Sequence, residues 1–148
     1  MAQAHAAACQ HNRFALMPPR TRTCEPAVRR ERLRKAEEFW RVGREAMELA
    51  EEQTDVADAA ATMFIHSGIA SSDVICCARL GLFSQSEDHR QAIDLLNQAD
   101  AGASSHLAAL LSLKTKAAYS HVRVSTSELT RALRAADHLL TTARRLGV

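Results

Sequence analysis

Lys114, Tyr119 and His121 fall within one short stretch of the chain and bring together three side chains suited to phosphate chemistry. A cation to hold a phosphate and a nearby group to move a proton are the minimum for metal-free phosphodiester transfer. Lysine anchors a phosphate as a point charge, without the two-pronged grip of a guanidinium. Tyrosine, with an ordinary pKa of about 10, is a poor general base near neutral pH. Lys116 and His121 repeat the same five-residue spacing two residues later. On a helix, five residues turn the chain by about 140° beyond a full turn, which splays the pair apart. The two groups of either pair therefore meet on one substrate only across a second helix, and such activity would depend on a dimer. A second set is His66, Asp73, Asp88 and His89. Two imidazoles and two carboxylates would suit zinc, manganese or iron. The inward Glu-x-x-His pairs of di-iron bundles are absent, however, and neither metal nor cofactor is expected. Asp73 lies in the most apolar stretch of the chain, where a carboxylate must be paired or protonated. Its expected partner is a helix start or Lys114, on the inner stripe of a later helix.

The elements that carry these residues read as helices. Apolar positions at Leu33, Ala36, Phe39, Trp40, Gly43, Met47 and Ala50 recur every three or four residues, giving a helix over 29–52. A joint at Gln53–Thr54–Asp55 offers Thr54 or Asp55 as cap for a second helix, from Val56 to about Leu80. That helix is apolar on nearly every side and so belongs at the centre. Gly68 among serines and alanines gives it a narrow waist, where a neighbour or a small ligand could approach. Ser84-x-x-Glu87 reads as a capping box before a short helix over 88–99. Ser104 or Ser105 would cap a fourth helix to about Ser120. Ser125-x-x-Glu128 is a second capping box, opening a last helix that ends at Gly147. Short joints make successive helices antiparallel, so the expected fold is an all-α, up-and-down bundle of four to five helices.

The chain has 148 residues, enough for one domain, and few helix breakers: five glycines and three prolines. All three prolines lie before Ala27, in a stretch without apolar periodicity, so residues 1–27 are expected to be a disordered extension of a 28–148 bundle. Residues 1–35 carry eight Lys/Arg against two Glu, whereas the rest carries 11 basic and 15 acidic groups. A basic arm on a mildly acidic body suits contact with nucleic acid, although without interleaved aromatics it also reads as a solvated tail. No run of 18 apolar residues is present, and neither a spanning helix nor a secretory signal is expected, which places the chain in the cytoplasm. Cys9, Cys24, Cys76 and Cys77 show no C-x-x-C spacing. Neither a zinc site nor a disulfide is expected from them.

The order of these features resembles the HEPN superfamily, in an actinobacterial-type branch of small helical bundles. The resemblance is carried by IHSGIASSDVICCARLG (Ile65–Gly81), the Asp88–His89 pair, LLSLKTKAAYS (Leu110–Ser120) and VRVSTSELTRALRAADHLL (Val122–Leu140), and spans residues 33–145. It implies a bundle, commonly a homodimer, in prokaryotic toxin–antitoxin or defence systems, with a nucleotidyltransferase-type antitoxin as partner. Active members cleave RNA without metal through an Arg-x4-6-His motif. Here Lys114 stands at the Arg place and Tyr119 at the His place, with Lys116 and His121 in the alternative register. The resemblance thus implies an RNA-binding or partner-binding component, with Lys114, Tyr119 and His121 as its catalytic remnant and His66, Asp73, Asp88 and His89 as supporting polar groups. Two alternatives stand beside it: a catalytically inactive dimeric interaction module, and a small-ligand-binding bundle.

Overall fold

The computed structural model describes residues 20–146. Among these, six α-helices form an antiparallel bundle, with one two-stranded ribbon at its edge. Helix α1 (Pro26–Leu49) starts with a proline in its first turn, where the missing N–H removes no hydrogen bond. It packs along α2 (Ala57–Leu80), which also packs against α6 (Thr126–Leu146). The burial of α2 explains its composition: Phe64, Ile65, Val74 and Ile75 are all fully enclosed. Each such side chain contributes roughly 1.5–3 kcal/mol when removed from water. By length and apolarity α2 would suffice to cross a membrane, contrary to the expectation from the sequence, but 78% of its apolar window is buried inside the fold. That is the signature of a central bundle helix.

Gly68 is where α2 meets α4 (Ala101–Ser112). A Cβ there would collide with the Leu110 side chain. The waist is therefore filled by Leu110, and the ligand expected beside Gly68 has no space. At the other end of α2, Gly81 adopts φ 68°, the left-handed conformation that closes a helix at little steric cost to glycine.

Directly after Gly81, β2 (Leu82–Ser84) pairs antiparallel with β1 (Thr21–Thr23), with Arg22 opposite Phe83. The ribbon is extended by hydrogen bonds from Gln85 N to Arg20 O (2.8 Å) and from Cys24 N to Gly81 O (2.9 Å). A disulfide joins Cys24 to Cys77, with Cα atoms 5.4 Å apart. Two expectations are corrected here. The N-terminal extension was expected to run to Ala27, yet residues from Arg20 onward belong to the fold; residues 1–19 lie outside those described. The cysteines do form a disulfide. Its partners are 53 residues apart in sequence, a pairing that only the ribbon creates.

The remaining caps are partly as expected. The Ser125–Glu128 box forms in full: Glu128 N donates to Ser125 Oγ and Ser125 N to Glu128 Oε1, both at 3.1 Å. The Ser84–Glu87 box does not, because Ser84 is drawn into β2. Asp88 caps α3 (His89–Ala99) instead, accepting from Arg90 N at 2.9 Å. Likewise Asp100, rather than Ser104 or Ser105, caps α4 by accepting from Ala103 N at 3.1 Å. The expected fourth helix breaks at Leu113, where a tighter Leu113 N to Leu110 O bond (3.0 Å) ends α4 and α5 (Lys114–Tyr119) begins.

Candidate functional site

A cavity of about 180 Å3 opens where α2, β2, α3, α4 and α5 converge. Its apolar wall comes from Ile69 of α2, Ala92 of α3, and Leu107 and Leu111 of α4. Polar groups enter from Ser72 and Asp73, from Ser84, Ser86, Glu87 and His89 around the β2–α3 turn, and from Lys114 at the start of α5. Three residues singled out in the sequence, Asp73, His89 and Lys114, thus share one cavity. The volume lies below the roughly 300–1,000 Å3 of pockets that enclose drug-sized molecules, so any occupant is a small molecule or one group of a larger one.

Asp73 is only 5% exposed. Its partner is Arg32 of α1: Nε donates to Oδ2 at 2.8 Å and Nη2 makes a second, shorter bond to the same oxygen. The expected Asp73–Lys114 pair does not form. Burial pushes the Asp73 carboxyl up to about 6, although the Arg32 charge and hydrogen bonds oppose it. Arg32 escaped the sequence reading because it belongs to the basic stretch read as a solvated arm. The usable signal was the deficit at Asp73, a carboxylate in an apolar helix with no cation of its own.

With Asp73 occupied, Lys114 is half-buried and makes neither ion pair nor hydrogen bond to any described residue. It lies within electrostatic reach of His66, whose ring stacks on Phe39 at 5.2 Å. Burial first, and then the Lys114 charge, lower the His66 pKa, which favours a neutral imidazole. Asp88 is spent on its cap and is exposed.

The other candidates lie elsewhere. Tyr119, at the last position of α5, is 82% exposed and does not line the cavity. His121 follows in an exposed turn. Lys116 donates to Glu128 at 2.8 Å, and together with the Ser125 amide it holds the Glu128 carboxyl down to about 2. Lys116 is therefore committed to fastening α5 onto the start of α6, apart from the exposed His121. A single copy offers a free cation in a cavity and places Tyr119 outside it.

Beside the cavity runs an open groove of about 530 Å3, lined by Arg22, Val28, Arg32, Phe83, Ser84 and Gln85. Ser84 belongs to both, and the Arg32–Asp73 pair joins them from behind. Lys114 lines the cavity and Arg22 the groove. No family model matches the sequence, and no match was found among curated proteins.

Proposed function

We propose that the chain is a HEPN-like helical bundle that binds RNA phosphates at the Lys114 cavity and the adjoining arginine groove without cleaving the RNA. One observation carries this reading: Lys114, in the place where the family has its phosphate-binding arginine, lines a cavity and has no ion-pair or hydrogen-bond partner among the described residues, whereas the exposed Tyr119 does not line it. Arg22 along the groove adds a second positive site for a neighbouring phosphate. The protein acts as a homodimer, in a toxin–antitoxin-type setting with a nucleotidyltransferase-type partner. The exposed Tyr119 and Val122 at the far end of α5 supply apolar surface for that association.

The test is fluorescence anisotropy with a labelled single-stranded RNA in chelator, together with gel analysis of the same RNA. Binding that weakens severalfold in Lys114→Ala, with intact RNA throughout, is the expected result. Equal binding by wild type and Lys114→Ala overturns the reading, and RNA cleavage by the wild type overturns its non-catalytic part. The apolar wall of Ile69, Leu107 and Leu111 favours one second reading, a small organic anion seated with its charge on Lys114. Thermal stabilisation by small carboxylates or phosphate monoesters, with no RNA binding, would select it.

A further inference from the structure

The Cys24–Cys77 disulfide holds more than two residues together. Cys77 lies in the last turn of α2, anchored in the core and 7% exposed. Cys24 follows β1, whose hold on β2 is a three-residue pairing. A two-stranded ribbon of that length is marginal in water. Apart from the disulfide, β1 is held by its ladder, by the Gln85–Arg20 and Cys24–Gly81 backbone bonds, by a long bond from Arg20 N to Gln91 Oε1 (3.4 Å), and by the start of α1. All three residues of β1 are exposed, so burial adds little. The ribbon is also a wall of the candidate site: Arg22 of β1 lines the groove, and Ser84 of β2 lines both groove and cavity.

We propose that Cys24–Cys77 is a redox-modification site, a substrate for dithiol reductants, whose opening loosens the β1–β2 ribbon and weakens anion binding at the adjoining site. The coupling to binding rests on the proposed RNA-binding function; the loosening of the ribbon does not. Cys24 is the more accessible residue of the pair, half-buried beside the exposed β1. A thiolate of the dithiol attacks Cys24 Sγ, forming a mixed disulfide and releasing Cys77 as a thiolate that takes up a proton. The second thiol of the reductant then attacks its own sulfur in the mixed disulfide and frees Cys24. The S–S bond of the protein receives two electrons and two protons, and the dithiol leaves as a cyclic disulfide. Cys76, adjacent to the released Cys77, does not intervene. It is buried, and its thiol is pushed up to about 12, mainly by burial and then by Asp73. A thiol so rarely ionised is a poor nucleophile.

The experiment compares the oxidised full chain with the same chain after dithiothreitol and with Cys24→Ser, keeping Cys76→Ser as control. Two quantities are read: hydrogen exchange of the 82–85 amides, and anisotropy with labelled single-stranded RNA. Helix content by circular dichroism confirms that the bundle persists. The expected result is at least tenfold faster exchange at 82–85 and about fivefold weaker RNA binding in the reduced chain and in Cys24→Ser, with Cys76→Ser like wild type. Unchanged exchange on reduction overturns the proposal. Faster exchange with unchanged RNA binding overturns the coupling to the site. Faster exchange with no RNA binding in any state overturns the proposed function and leaves the redox-sensitive ribbon standing.

Discussion

Asp73 shows how far one residue's chemistry could be read ahead. A carboxylate in the most apolar helix has to be paired, and it is. The partner was not legible, because Arg32 lies 41 residues away on a stretch whose charge resembled a solvated arm. The pairing has a pH signature. Burial raises Asp73 to about 6 in the folded protein, above the roughly 3.9 of an unfolded chain. The native state then holds the proton more tightly than the unfolded state, so the stability supplied by Asp73 is fullest below about pH 4 and declines as pH rises through 6. The decline amounts to about 2–3 kcal/mol at the conversion of 1.36 kcal/mol per pKa unit. Urea unfolding of wild type and Asp73→Asn at pH 4 and pH 7 should show it as a change in their difference, wild type losing ground at pH 7; a constant difference would refute it. Arg32→Ala should cost about 3 kcal/mol at pH 7 by leaving a buried charge unpaired, and less at pH 4, where Asp73 is protonated. Lys114→Ala should stay within about 0.5 kcal/mol of wild type in the same measurement, since no described residue depends on it.

At the scale of elements, the helices read from periodicity held, whereas the caps held only in part: Asp100 took the place of Ser104 or Ser105, and no side chain caps α2. The α6 capping box forms because its residues need only each other, and Ser125→Ala should cost about 1 kcal/mol in chemical unfolding. The box expected before α3 fails because Ser84 is claimed by a strand pairing with residues more than 60 positions earlier. Three-residue runs such as Thr21–Thr23 and Leu82–Ser84 are too short to show the periodicity by which strands are recognised. The same limit hid the disulfide. Gly68 was legible as a site of close approach but not as to what approaches it. With Leu110 against it, Gly68→Ala should destabilise by about 1–3 kcal/mol through overpacking, and an unchanged melting temperature would show that the α2–α4 contact is looser than described.

For the whole molecule, helix periodicity and short joints sufficed for the all-α bundle, since each helix carries its own apolar stripe, although α6 buries its stripe against α2 and α4 rather than against its neighbour in sequence. The candidate site was legible only as a set of residue types. Asp73, His89 and Lys114 share one cavity, while Tyr119 and His121 stay outside, because the break at Leu113 and the β2 ribbon decide which way each faces. The same arrangement keeps Lys114, the proposed phosphate anchor, apart from Tyr119 within one copy. Sedimentation should find a dimer that Tyr119→Asp combined with Val122→Asp shifts toward monomer, both residues being exposed at one end of the bundle; an unaltered dimer would place the interface elsewhere. The most direct measurement is the salt dependence of RNA binding in wild type and Lys114→Ala, followed by anisotropy between low and moderate salt. If Lys114 holds a phosphate, the variant's slope of log K against log salt is shallower by about 0.7, the loss of one single-strand phosphate contact. Identical slopes and affinities would show that Lys114 touches no phosphate and that the cavity serves some other purpose.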